Sequence, residues 1–334
     1  MAKDNIFKFV IIGSGNIANT YISAIEKIEN VEVAGIISRS LKKPAALKNN
    51  SKILIADSLN KIKADFDAVI ICVPNFLHHT FAVESASMGK HVLTEKPLDI
   101  SIEAIDEMIS ACRNANVKLG VAYQRRLTGD NFLIKKMIDE NKFGKIFAVS
   151  LSVKNFRDDK YYSDSNYRGT WKKDGGGPFI QQASHYVDLY AWYFGKPTKI
   201  ESFLNTYIHN IEVEDHGVAV CMHENGMIGT LTASTACKPG FPARIEIHSE
   251  KGTVILENDI IIFWSIDGIE NPGLHKNAQR HTGADTHLVN DTTNHELIIK
   301  DFIQAVKENR EPFINGESAR IASEIILQIY TNKI

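Results

Sequence analysis

The sequence predicts an α/β chain with an N-terminal Rossmann dinucleotide-binding domain and a C-terminal α/β domain whose open sheet is largely antiparallel. Three observations predict it. Short apolar runs alternate with helical patterns through residue 122, which implies crossover units and a parallel sheet. A glycine-rich turn, Gly13-Ser14-Gly15-Asn16-Ile17-Ala18, separates the first apolar run from the first helical pattern. Beyond Tyr123, strand-like runs come to follow one another without helices between them, which favours antiparallel pairing. The domains are therefore placed at 1–122 and 123–334.

The elements follow in order. Phe7–Ile12 reads as a strand, Asn16–Ile28 as a helix, and Val31–Ile37 and the buried run Ala68–Val73 as strands. Phe76–Met88 is helical and stops at Gly89, a residue suited to the left-handed position after a helix. Strand His91–Thr94, helix Ser101–Ala115 and strand Val117–Ala122 complete the first domain. A helix near Asp130–Glu140 leads into strand Ile146–Val153. After a loop rich in Tyr, Asp and Gly, a helix is expected across Ile180–Phe194. Strands are expected at Ile200–His209, Gly217–His223, Met227–Ala233, Arg244–His248, Thr253–Leu256 and Ile260–Trp264. Asp267–Asn294 is polar and irregular, and helices at Glu296–Lys307 and Glu317–Tyr330 close the series.

Bulk properties narrow the function. A length of 334 residues with 44% hydrophobic residues suits two folded domains or one large α/β unit. The net charge of −2 gives no electrostatic case for nucleic acid or an anionic membrane as partner. Met1–Val10 shows no secretory signal, and no run reaches the roughly 20 apolar residues of a membrane span. Cys72, Cys112, Cys221 and Cys237 form no CxxC pair, which favours reduced thiols and a cytoplasmic location. His275, His281, His287 and His295 cluster with Asp285, but their spacing fits no familiar zinc pattern, so no metal site is assigned.

In the glycine turn, Gly13 permits a tight exit from the first strand. Gly15 lets a pyrophosphate approach the backbone, and the helix starting near Asn16 and Ile17 offers it free N–H groups. An NAD enzyme usually carries an acidic residue about 20 positions further on, at the end of the second strand. Ser38-Arg39-Ser40 stands there instead, with Lys42 and Lys43 following. Arg39 can pair with a 2′-phosphate and the serines can donate to it, so NADP(H) is preferred and NAD(H) is the alternative.

Two segments carry candidate chemistry. Lys96, in Glu95-Lys96-Pro97, follows a strand of the nucleotide domain, where a lysine can handle a substrate proton. The second begins at Gly175-Gly176-Gly177-Pro178. If the chain is helical from there, Gln181, His185 and Asp188 share one face, and His185 is the natural acid/base. Tyr161, Tyr162, Tyr167 and Trp171 either stack on a sugar ring or pack beneath the loop, and Asp215-His216 is unassigned.

Together with Val73-Pro74-Asn75, His78, the run Gly89 through Pro97 and Tyr123-Gln124-Arg125-Arg126, these motifs resemble the Gfo/Idh/MocA family of oxidoreductases nearly end to end. The resemblance implies hydride transfer between nicotinamide and a sugar, cyclitol or related polyol, in a homodimer or homotetramer. It implies cofactor contacts from Pro74, Asn75, His78, Glu95, Lys96, Arg168 and Trp171, and substrate contacts from Lys96, Tyr123, Arg126, Gln181 and His185. Lys96, His185 and Gln181 form the expected catalytic set. Many dehydrogenases of the family carry Asp where this chain has Gln181. Glutamine can hydrogen-bond a hydroxyl but cannot accept a proton. Two other readings stand beside the dehydrogenase: a redox-neutral sugar-converting enzyme with tightly held cofactor, and a non-catalytic dinucleotide sensor.

Overall fold

The computed structural model describes residues 6–47, 53–273 and 292–333. The chain divides into two compact units, Met1–Gln124 with Val289–Arg320, and Arg125–Leu288 with Ile321–Ile334. The first division falls between Gln124 and Arg125, and the segment 289–320 belongs to the first unit.

Unit one contains a six-stranded parallel sheet, β1 (Phe7–Ile12), β2 (Val31–Ile37), β3 (Leu54–Ala56), β4 (Ala68–Ile71), β5 (His91–Thr94) and β6 (Leu119–Val121), in the order β3-β2-β1-β4-β5-β6. Every residue of β4 is buried, as expected of a strand covered on both faces. The order reverses direction between β1 and β4, the switch point at which such sheets bind ligands beyond their carboxyl ends. Helices α1 (Asn16–Ile25), α2 (His78–Ser87) and α3 (Ile102–Asn114) supply crossovers. Ser101 caps α3, its side chain accepting the Ala104 N–H.

Helix α9 (Thr293–Lys307) packs on α1 and buries Ile298, Ile299, Phe302 and Ile303. Phe302 lies over Gly120 of β6, where an added Cβ would come within 2.7 Å of its ring. These contacts draw the late segment back to unit one. Hydrophobic periodicity reveals that α9 is amphipathic but not which sheet it covers.

Unit two is built on a seven-stranded sheet: β7 (Ile146–Lys154), β8 (Lys199–Asn205), β9 (His216–Met222), β10 (Ile228–Ser234), β11 (Arg244–Ser249), β12 (Gly252–Glu257) and β13 (Ile260–Ile266). The order is β13-β12-β11-β7-β10-β9-β8, and only β7 and β10 pair in parallel. One face packs against α4 (Gly129–Asp139), α7 (Pro178–Gln181) and α8 (Ser184–Phe194). On that face β9 buries Gly217, Ala219 and Cys221, while Val220 and Met222 on the opposite face stay exposed. Two short helices, α5 (Asp159–Ser163) and α6 (Trp171–Asp174), occupy the loop after β7, and α10 (Gly316–Thr331) ends the chain.

The single helix expected across Ile180–Phe194 is two. The Ala183 N–H bonds to the Pro178 carbonyl, five residues back, at 2.8 Å, and α8 starts anew at Ser184. That wide turn interrupts the regular helical repeat. Gln181 therefore does not share a continuous helical face with His185 and Asp188.

Candidate active site

The dinucleotide end in unit one is built from backbone. Gly13 has φ +119, and a Cβ there would lie 2.4 Å from the Cys72 carbonyl oxygen. The turn out of β1 thus requires glycine. A Cβ at Gly15 would meet nothing within 4 Å, so open space faces it, and Gly15 precedes the first turn of α1 at Asn16 and Ile17. Open space beside free helix N–H groups is what a pyrophosphate needs, and these residues fit a dinucleotide.

Ser38 is 4% exposed, and its hydroxyl lies 2.9 Å from the Ser14 hydroxyl and accepts the Lys42 N–H. It ties the second strand's end to the glycine turn, so it braces the adenosine side. Arg39 and Ser40 are exposed there.

Pro74 and Asn75 follow β4, flanking the switch point. His78 is fully buried, its ring nitrogens 2.8 and 2.9 Å from the carbonyls of Pro97 and Val73. It joins the loop after β4 to the loop after β5, and its expected cofactor contact is replaced by that structural one.

Lys96 lies two residues past the end of β5, and its peptide bond to Pro97 is cis. The Glu95 carboxylate accepts the Tyr21 hydroxyl at 2.8 Å and the Lys96 N–H at 3.2 Å. Tyr21 belongs to α1, so one carboxylate ties the lysine's backbone to the dinucleotide helix. His295 stands edge-on to Tyr21 with its Nε2 4.0 Å from Glu95. His275, His281, His287 and Asp285 lie outside the described residues. Tyr123 has no exposed surface.

In unit two, Asp188 is fully buried and takes two hydrogen bonds from Arg126, at 2.8 and 2.5 Å. Burial raises the carboxyl's pKa and Arg126 opposes that rise. Arg126 is itself 2% exposed. Its expected substrate contact is thus replaced by a brace between the segment before α4 and α8, and Asp188 is no pocket wall. His185 sits on the first turn of α8, half-buried. Gln181 is also half-buried and donates Nε2 to the Asp174 carbonyl at 2.8 Å. That bond fixes its amide orientation.

The glycine run has a steric cause. A Cβ at Gly176 would fall 2.3 Å from the Tyr330 ring, and one at Gly177 would fall 1.9 Å from the Glu214 carbonyl oxygen. The Glu214 carboxylate accepts the N–H of Gly177 at 3.0 Å, that of Phe179 at 3.4 Å and the Tyr330 hydroxyl at 3.0 Å. Burial pushes Glu214 up to about 7, the donated hydrogen bonds acting in opposition. Sequence reasoning passed over Glu214, although two adjacent acids before a strand, Glu214-Asp215, were a signal. Asp215 accepts the N–H groups of Tyr207, Ile208 and His209 and pairs with the His209 ring at 3.0 Å, anchoring a loop.

Arg168 donates to the Tyr161 carbonyl at 2.9 Å, and Trp171, 39% exposed, donates Nε1 to the Glu212 carbonyl at 3.0 Å. Tyr162 and Tyr161 pack edge-to-face beneath this loop.

A parallel sheet with a glycine turn at its switch point, and a lysine after a neighbouring strand, defines a nucleotide-dependent dehydrogenase fold. Residues 7–123 match the model of the oxidoreductase family with an NAD-binding Rossmann fold, and residues 133–255 match the GFO/IDH/MocA C-terminal domain. The chain belongs to the GFO/IDH/MocA family.

Among curated relatives, Oxidoreductase P35 of Formosa agariphila is 29% identical over 203 residues, 57% of this chain and 61% of that protein. Inositol 2-dehydrogenase of Rhizobium meliloti is 22% identical, covering 94% of this chain and 93% of its own. Among solved structures, the WlbA dehydrogenase of Bordetella pertussis, in complex with NADH and UDP-GlcNAcA, has a TM-score of 0.85 and 29% identity. That match covers 98% of this chain and 96% of the other.

Proposed function

We propose that the chain is a dehydrogenase of a sugar, cyclitol or related polyol, using NADP(H) in preference to NAD(H). The carrying observation lies in unit one, where the open space beside Gly15 and the N-terminus of α1 share a sheet with Lys96, tied to α1 through Glu95 and Tyr21. Bound nicotinamide supplies a hydride acceptor or donor at C4. Lys96 and His185 are the groups that hold or move the hydroxyl proton, and Gln181, its amide fixed by Asp174, orients the substrate. The carbohydrate class is supported by relatives such as inositol 2-dehydrogenase and the scyllo-inositol 2-dehydrogenase (NADP(+)) of Bacillus subtilis. Exposed Arg39 and Ser40, without a carboxylate at the end of β2, support the 2′-phosphate preference.

The test has two parts. Fluorescence titration of cofactor-stripped protein is expected to give tighter binding of NADPH than of NADH; the reverse order would overturn the cofactor preference alone. Lys96→Met is expected to lower turnover by about 10²-fold or more with NADPH affinity nearly unchanged. Full turnover by that variant would remove Lys96 from the chemistry.

The open sheet face supports a homodimer or homotetramer. Phe203, Val220, Met222, Ile228 and Phe263 are all at least 46% exposed there. An apolar surface of this kind is normally covered in an assembly.

A further inference from the structure

Arginines in unit two fall into two groups. Arg125, Arg126 and Arg244 each hold carboxylates, Asp259, Asp188, and Glu246 with Glu257. Arg157 and Arg168, in the loop after β7, have no carboxylate within 4 Å among the described residues. Arg157 is half-buried, and its Nε is buried without a hydrogen-bond partner among those residues. One of its terminal nitrogens reaches only the adjacent Phe156 carbonyl, at 3.4 Å. Both guanidiniums nevertheless lie against one ring, 5.2 and 4.3 Å from the Tyr161 centroid. The ring attracts each cation, but two like charges gathered there repel, and a buried unpaired N–H is unfavourable. An anion would relieve both.

The patch is rigidly held and joined to the substrate-side segment. The Arg157 carbonyl accepts from His209 Nε2 at 2.8 Å, and Asp215 holds the other ring nitrogen of that histidine. The Tyr161 hydroxyl accepts from Gln182 Nε2 at 3.2 Å, next in sequence to Gln181. Two nearby carboxylates are engaged with backbone donors, Asp158 with the Tyr161 N–H and Asp174 with the Gly169 N–H.

We propose that Arg157, together with Arg168, forms an anion-binding subsite for a phosphate or carboxylate group carried by the sugar substrate. The proposal rests on the sugar-dehydrogenase reading and narrows its substrate class to anionic sugars. The planar guanidinium fork pairs with both groups in a bidentate manner, and the stacked ring holds it in place. Arg168, expected at the cofactor, is shared with this subsite.

The test is calorimetric titration of the full chain, saturated with NADPH, with UDP-GlcNAc, its uronic acid UDP-GlcNAcA and neutral myo-inositol. Wild type is compared with Arg157→Gln and Arg157→Lys. The charged sugars are expected to bind about tenfold or more tighter than inositol. Arg157→Gln is expected to lose about tenfold on them, with its melting temperature and NADPH affinity held, and Arg157→Lys to recover part of the loss. Loss on both charged sugars assigns the diphosphate; loss on the uronic acid alone assigns its carboxylate. Unchanged affinity in Arg157→Gln, failure of both charged sugars to bind wild type, or a loss seen for NADPH instead would each overturn the subsite. Wild type oxidising neutral myo-inositol with a higher kcat/KM than either charged sugar would also overturn it while leaving the dehydrogenase reading intact. Charged-sugar binding that depends on Arg157 without any turnover would do the reverse.

Discussion

Arg126 and Asp188 show how little a side chain's type reveals about its task. In the sequence, Asp188 follows His185 by three residues and reads as part of a polar stripe. In the fold it is a fully buried carboxylate answered by a guanidinium at 2.5 and 2.8 Å. Removing one partner of a buried pair strands the other charge. Asp188→Ala is expected to lower unfolding free energy by about 3–5 kcal/mol in denaturant titration. Glu214 makes a second prediction. Its pKa is raised by burial from 4.5 to about 7, so the group favours folding when protonated and that contribution is lost as pH rises from about 5 through 7. The full effect is roughly 3 kcal/mol. Melting curves from pH 5 to 8 should show wild type losing stability relative to Glu214→Gln; parallel curves would contradict it. Gly13, whose role depends on strict local backbone geometry, was legible in the sequence. Glu214, Tyr330 and Arg157 were not, because their partners lie 37, 150 and 52 residues away in the chain.

Strands β1, β2 and β5 match their expected limits, since each is a continuous apolar or alternating run bounded by turn residues. The short elements were missed. β3 has three residues, and α5 and α6 have five and four, too few to establish a period. The division of the helix at Gln182 and Ala183 was also invisible, because neither residue is a helix breaker and the wide turn arises from one displaced hydrogen bond. The glycine run before α7 was read as a loop signal, and its cause is close packing. Gly177→Ala places a Cβ 1.9 Å from the Glu214 carbonyl oxygen, so backbone must move. A loss of about 2 kcal/mol or more is expected, together with a raised KM for substrate, measured by denaturant titration and steady-state kinetics.

At the scale of the molecule, fold class and the antiparallel character of the second sheet were legible. Periodicity and motif order carry both. The allocation of residues to units was not, because α9 lies late in sequence and packs on α1. If the exposed sheet face holds copies together, Val220→Asp with Met222→Asp should give monomers of unchanged melting temperature, read by light scattering. Assembly unaffected by both changes would move the interface elsewhere. Among the described residues no helix is long and apolar enough to cross a membrane. Helix α9 has a consequence for biosynthesis. A ribosome releases the chain from its amino end, and the six strands of the nucleotide sheet are all made before residue 122. Their last covering helix, with Phe302 over Gly120, is made some 180 residues later. At roughly 5–20 residues per second, the nascent sheet waits on the order of ten seconds or more with Gly120 and the flank of α1 uncovered. During that interval the dinucleotide-binding half of the chain exposes apolar surface that chaperones bind, and its maturation waits for synthesis to pass α9.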